Sequence, residues 1–212
     1  MNLLQRFMRV FFDLLYHSFA FAYDLVAAVV SFGKWKDWVL SVIPFIEGNH
    51  ILELGHGPGH LQLALQRRSG LVAAAMDESA PMGRLAKLRL GKSHRLTRAL
   101  AQKIPFASKS FDSVIATFPS EYIFDMQTLS EAHRVLRNRG RLIVLLAVLP
   151  KNPLLGILFK VTGQSPSGAH DSIKSKIIDT LARVNFKTEV QLVEVKSGNL
   201  FVVVAQKEET KC

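Results

Sequence analysis

Cysteine is almost absent from this chain of 212 residues, and the single one, Cys212, is the last residue. One thiol excludes a disulfide framework and a metal site built on cysteines, and it fits a reducing compartment. Acidic residues are also scarce, 17 against 27 Lys and Arg. The deficit is local. Residues 1–49 balance four basic side chains against four acidic ones. Residues 61–110 carry ten basic residues (Arg67, Arg68, Arg84, Lys87, Arg89, Lys92, Arg95, Arg98, Lys103 and Lys109) against only Asp77 and Glu78. Such a flank is either a solvated basic face or a surface for an anionic membrane or nucleic acid. Also missing is an uninterrupted apolar run that could cross a bilayer, because Asp13, His17 and Asp24 break every window near the amino terminus. No small-residue cleavage site follows an apolar stretch there, so neither a membrane span nor a secretory leader is expected.

What is present is the composition of a folded domain: 49% apolar and 21% charged residues, in a length that suits one core. The expected division is an N-terminal helical extension over residues 1–48, acting as a cap, and a main domain over 49–212. At helical spacing Asn2, Gln5, Arg6, Arg9, Asp13 and His17 form a polar stripe opposite Leu4, Phe7, Met8, Phe11, Leu14 and Leu15. This amphipathic helix over residues 1–18 suits a membrane interface, its own domain or a partner. Gly33 and Gly48 are expected stops for the next two helices.

The stretch HILELGHGPGHLQLAL, residues 50–65, places Gly55, Gly57 and Gly59 between an apolar run that reads as a buried strand and a run with helical spacing. Glycine permits positive φ and leaves no Cβ in the way of a ligand, and the helix that follows presents free N–H groups. GLVAAAMDES reads as a second strand ending at Asp77, where a doubly wound sheet places a ribose-binding carboxylate. The alternative role for Asp77 is N-cap of a helix over residues 81–90, a task Ser79 could take instead. RLTRALA, FDSVIATF and GRLIVLLAVL follow as further strands, with MQTLSEAHRVLRN and SKIIDTLARVNF as helices. KTEVQLVEVKS and NLFVVVAQK form a hairpin around SGN. This order predicts an α/β fold: a doubly wound, mostly parallel seven-stranded sheet with a C-terminal antiparallel hairpin.

Four ordered segments carry a resemblance to class I S-adenosylmethionine-dependent methyltransferases, which have a Rossmann-like fold: LELGHGPG, MDESAPMGRLAK, QKIPFASKSFDSVIATF and EAHRVLRNRGRLIVL. It spans about residues 20–207. AYDLVAAVVSFGKWKDWV is similar to the segment that precedes the first motif in the ubiquinone and menaquinone C-methyltransferase branch, and bacterial phospholipid N-methyltransferases are similar in the core. The resemblance implies S-adenosylmethionine as cofactor and no metal. It sets Gly55, Gly57 and Gly59 against the methionine and ribose, Glu53 at the amino end, Asp77 on the ribose hydroxyls and Met82 near the adenine. It places Ala101 and Gln102 at the adenine edge, and Phe118 with Pro119 along the path of the methyl group. Three features depart from the pattern. The acid that commonly binds the adenine amino group falls at Leu100, FPSEYIFD replaces the quinone branch's Arg-Asn-Val-like segment, and Asn138-Arg139-Gly140 replaces Pro-Gly-Gly.

Methyl transfer from a sulfonium is an in-line displacement, so the protein's task is alignment and exclusion of water. A phenol or carbon acceptor also needs a base. Candidates are Glu121, His56 and His170, with Tyr122 and Tyr23 as orienting groups; Glu121 and Tyr122 rank first because they follow the fourth strand. The segment Leu149 to Ser172 reads as a lid or an acceptor-facing element. The expected acceptor is small and lipophilic, a phospholipid head group or a quinone. The expected setting is cytoplasmic, at the inner membrane face, as monomer or homodimer. The rival readings are an RNA methyltransferase using the basic flank and a non-catalytic cofactor-binding adaptor.

Overall fold

The computed structural model describes Ser31 and residues 33–91, 94–150 and 170–208. The expected amphipathic helix over residues 1–18, Tyr23 and most of the segment Leu149 to Ser172 lie outside the described residues, as does the side chain of His170.

Strand β1 (His50–Leu54) is buried on both faces. For that reason its apolar residues Ile51, Leu52 and Leu54 do not alternate with exposed polar ones, and Glu53 is itself buried. It lies between β2 (Val72–Asp77) and β4 (Phe111–Thr117), parallel to both. The full order is β3-β2-β1-β4-β5-β7-β6, with β3 (Leu96–Arg98) at one edge and β5 (Leu136–Pro150) beyond β4. β7 (Gly198–Lys207) runs antiparallel to both β5 and β6 (Phe186–Val195), so the C-terminal hairpin completes the sheet. This is the expected seven-stranded, mostly parallel architecture. The chain leaves β1 toward β2 and β3, then returns across β1 to β4. Connections therefore diverge at the carboxyl ends of β1 and β4, where doubly wound sheets open a crevice.

Helices cover the sheet as α1 (Trp35–Leu40), α2 (His60–Gln66), α3 (Ala80–Leu90), α4 (Met126–Val135) and α5 (His170–Ala182). Neighbouring strand residues divide between two cores, as a period of two requires. Leu52, Val114, Leu142 and Val144 join Leu129 of α4 and Leu181 of α5 on one face. Ile51, Ile115, Ile143 and Leu145 join Trp38 of α1 and Leu61 of α2 on the other. Trp38, Val39 and Val42 thus share a core with the main sheet. Trp38 Nε1 also donates to Ser197 Oγ in the β6–β7 turn at 2.8 Å.

Three local devices set the ends of elements. Ser79, not Asp77, caps α3: its hydroxyl accepts from Met82 N. Asp112 closes the entrance to β1. Its Oδ2 accepts from the amides of Asn49 and His50 at 2.9 Å each, and its Oδ1 accepts from Arg137 Nη1 at 2.6 Å. Burial raises the Asp112 pKa, but the two amides and the guanidinium outweigh it and hold the carboxyl below its usual value. Buried Lys207, at the end of β7, donates to the carbonyls of His133 and Leu136 at 2.7 and 2.9 Å and so closes the carboxyl end of α4.

The Asn138-Arg139-Gly140 departure is accommodated as a bulge. Register against β4 passes from Phe111↔Leu136 directly to Ser113↔Arg141. Arg139 takes a φ of 63°, and a Cβ on Gly140 would lie 2.9 Å from the Arg137 carbonyl oxygen. The departure is absorbed by the turn, at the end of the sheet away from the crevice.

Candidate active site

The three glycines after β1 all have positive φ, 70°, 50° and 84°, but each for its own reason. A Cβ on Gly55 would stand 2.7 Å from the Tyr122 hydroxyl. A Cβ on Gly59 would meet Ala86 Cβ at 3.2 Å, so this glycine lets α2 and α3 close on each other. Gly57 has no atom within 4 Å of where a Cβ would stand, which makes it the open point of the turn. The turn is tied to the end of β2: the amides of Gly55 and His56 both donate to the Met76 carbonyl, at 2.8 and 3.2 Å. Arg89 of α3 donates to the Pro58 carbonyl.

Asp77 organises the same junction. Its Oδ2 accepts from Gly57 N and its Oδ1 from Ser79 N, both at 2.8 Å, with the residue 8% exposed. Each carboxylate oxygen keeps a lone pair for a further donor, the pattern that matches two neighbouring hydroxyls. Glu53, on the adjacent strand, is 1% exposed, and its Oε2 accepts from Gln62 Nε2 at 2.8 Å. Desolvation raises its pKa to about 8; the Gln62 hydrogen bond opposes this and the charge of Asp77 adds to it. At neutral pH Glu53 is therefore protonated in the ligand-free protein.

His56 is enclosed, 5% exposed, with Nδ1 2.6 Å from the Gly57 carbonyl oxygen. Burial lowers its pKa, so the ring is neutral. A carbonyl only accepts, so Nδ1 carries the hydrogen and Nε2 is left as the basic nitrogen. Tyr122 is half-buried and donates to the Leu54 carbonyl at 3.2 Å, which sets its hydroxyl over the start of the glycine turn. Glu121, beside it, is exposed at the first position of a 3-10 turn, Glu121–Phe124. Gln102 spends its amide on Asp125 Oδ2 at 3.1 Å, and Asp125 in turn caps α4 through Gln127 N. Ala101 is half-buried beside it. Met82 is 0% exposed, which makes it a packing residue of α3 in this state and not an open surface for an adenine.

Phe118 leaves β4 at φ 48°, a conformation that costs a bulky residue about 1–2 kcal/mol. Its amide donates to the Leu145 carbonyl at 2.8 Å, and its ring stacks on Trp35 at 4.5 Å and 29°. An aromatic pair contributes about 0.5–1.5 kcal/mol beyond its area, enough to offset much of that strain. Trp38 meets the same ring edge-on at 6.4 Å. The structure thus unites Glu53, Gly55, Gly57, Asp77, His56 and Tyr122 around one turn, and sets Phe118 and Trp35 at the carboxyl end of the neighbouring strand. Sequence reasoning missed the stack of Trp35 on Phe118 and the bond between Gln102 and Asp125. The tryptophan was visible in SFGKWKDW, but its partner lies 83 positions away. Among the described residues no three His, Cys, Asp or Glu side chains cluster as metal ligands.

A family model described as a methyltransferase domain matches residues 52–144, from β1 into β5. The ubiquinone/menaquinone biosynthesis C-methyltransferase UbiE of Geotalea uraniireducens is 31% identical over 156 residues, covering 68% of this chain and 66% of that protein. The demethylmenaquinone methyltransferase of Thermotoga maritima is 32% identical over 143 residues, covering 65% of this chain and 62% of the other. The chain thus spans slightly under two thirds of the length of these relatives. Among solved structures, phosphoethanolamine N-methyltransferase 2 of Haemonchus contortus, in complex with S-adenosylhomocysteine, shares the fold. Its TM-score is 0.60 at 15% identity, covering 84% of this chain and 53% of that one. The residues of this junction fit that kind of cofactor: an open glycine, a carboxylate with two spare lone pairs at the end of β2, and a buried acid on β1. The chain belongs to the S-adenosylmethionine-dependent methyltransferases of class I fold.

Proposed function

We propose that this protein methylates a small, lipophilic, quinone-like ring, with Asp77 and Glu53 holding the cofactor and the region after β4 receiving the acceptor. The observation that carries the reading is the single junction formed by Gly57, Asp77 and Glu53 at the carboxyl ends of β1 and β2. The names of the two quinone-pathway relatives support the acceptor class. So does the aromatic wall of Phe118 and Trp35, which suits a planar apolar ring. S-adenosylmethionine supplies an electrophilic methyl group on a sulfonium. The two free lone pairs of Asp77 accept from the ribose hydroxyls, and Glu53 takes the amino end. Gly57 lets the backbone approach closely. Tyr122 orients the acceptor from its position over Gly55, and Glu121 receives the proton the acceptor loses, at a carboxylate open to solvent. His56, enclosed and bonded to the Gly57 carbonyl, shapes the turn and holds a basic Nε2 in reserve. The enzyme works at the cytoplasmic membrane face.

The test is transfer of labelled methyl to a demethylated prenylquinone, with total phospholipid and total RNA in parallel. Label in the quinone that falls at least about a hundredfold in Asp77→Ala supports the reading, as expected when charged hydrogen bonds to the cofactor are lost. Label in RNA or phospholipid alone overturns the acceptor. No label in any fraction, together with no binding of the cofactor, overturns the enzyme.

A further inference from the structure

Four cations among the described residues are neutralised in place. Arg134 pairs with Glu131 at 2.6 Å, Arg137 with Asp112 at 2.6 Å, Arg141 with Glu47 at 2.7 Å and Lys34 with Asp37 at 3.7 Å. The flank formed by α3 and the edge strand β3 gathers several that are not. Arg84, Lys87, Arg95, Arg98 and Lys103 are all exposed there, and among the described residues none has a carboxylate within ion-pair distance. Of the two acids in this part of the chain, Asp77 is buried against backbone amides, and Glu78 offers Arg98 its carbonyl oxygen. Two leucines project among these cations: Leu88, next to Lys87, is 83% exposed, and Leu100, between Arg98 and Lys103, is 54% exposed. A cleft of about 390 Å³ opens in the same flank, with Lys87, His94 and Arg95 in its lining above Phe106 and Phe111.

We infer that the α3–β3 flank is a docking surface for an anionic phospholipid bilayer. Unpaired cations attract lipid phosphates, the leucines enter the interface, and the cleft gives one headgroup a recess between positive side chains. A second copy of the chain, with a net charge of +10, offers no complementary field, and its first 49 residues are neutral in balance. Single-stranded nucleic acid would call for exposed rings on which bases stack, and the exposed apolar groups here are leucines. None of Lys87, Leu88 and Arg95 is among the residues assigned to the cofactor, and the surface stands whatever the acceptor proves to be.

The experiment is co-sedimentation of the full chain with phosphatidylcholine vesicles, with and without phosphatidylglycerol. Binding is expected only with phosphatidylglycerol and should weaken as salt rises. Reversing Lys87→Glu and Arg95→Glu together should weaken it roughly tenfold or more, since each cation at an anionic surface contributes about fivefold. Leu88→Gln should weaken binding severalfold even at high salt. Melting temperature and methyl transfer to a detergent-dispersed acceptor should stay unchanged in these variants. That keeps failure of this surface distinct from failure of the catalytic assignment. Equal binding to both vesicles, or wild-type binding by the charge-reversed protein, overturns the proposal. So does tight binding of tRNA that depends on Lys87 and Arg95 but not on Leu88.

Discussion

The amide of Gly57 donates to Asp77 Oδ2 at 2.8 Å, so the open point of the glycine turn and the last residue of β2 are held as one unit. The carboxylate that is to grip a ribose also holds the turn over which the cofactor lies. Structure and binding cannot be separated at this residue, although its neighbours allow it.

Asp77→Ala should lower both stability and affinity. Two backbone N–H groups lose their acceptor, at about 1–3 kcal/mol each if they stay dry, and the cofactor hydroxyls lose theirs. Ser79→Ala should cost about 1 kcal/mol through the α3 cap and leave affinity nearly unchanged. Thermal melts and titration calorimetry with S-adenosylhomocysteine distinguish the two.

Glu53 predicts a pH dependence of unusual sign for a carboxylate. Its folded pKa of about 8 lies above the ordinary 4.5, so between those values the native state holds the extra proton. Stability is then full below pH 4.5 and falls as pH rises toward 8. Glu53→Gln should flatten that slope and raise the melting temperature at pH 8. A cationic amino group arriving beside Glu53 favours the carboxylate, so cofactor binding at neutral pH should release a proton. Calorimetry in two buffers of different ionisation enthalpy reads that proton directly, and the signal should vanish in Glu53→Gln.

Alanine at the three glycines should give three different outcomes. At Gly57 the strain of positive φ costs about 1 kcal/mol and the methyl group fills the approach, so binding should suffer more than folding. At Gly59 the contact with Ala86 is added and folding should suffer more. At Gly55 the Tyr122 hydroxyl must shift, and turnover should fall in proportion to how far Tyr122 moves. Melts, calorimetry and single-turnover rates on the three variants check this order.

Asp112 should govern acid stability. Its folded pKa is depressed below 3.8, so its contribution is present above that value and is lost as pH falls through the folded pKa. Asp112→Ala should cost about 2–3 kcal/mol, because two amides and one guanidinium lose their acceptor. The cost should shrink on acidification, and urea unfolding across pH 2–6, a range of order set by the carboxylate values, measures it.

Much of this was legible from local pattern. FDSVIATF and HILEL are central strands buried on both faces, and short apolar-rich runs with β-branched residues announced them. The order of strands and helices identified the carboxyl ends where the site lies. What stayed hidden depends on distant partners. Whether Ser79 or Asp77 capped α3 turned on where Gly57 would come to rest. Gly59 reads like any other glycine of the turn until Ala86 is packed beneath it. Phe118 carries no mark of its positive φ, because Trp35 and the Leu145 carbonyl impose it. RLTRALA pairs over only Leu96–Arg98, since an edge strand has one neighbour and the turn from Leu100 to Lys103 takes over. β5 begins at Leu136, ahead of the expected Gly140, because a bulge at Arg139 preserves the pairing.

The strand of this sheet that comes latest in the chain does not lie at its border. β7 sits between β5 and β6, and its final residue, Lys207, closes α4. During synthesis β5 therefore waits with a bare edge, and β6 has nothing to join, until β7 has emerged. Such an edge is a template for misassociation. Removing even the last half-dozen residues of β7 would leave a half-built sheet rather than a slightly shorter one.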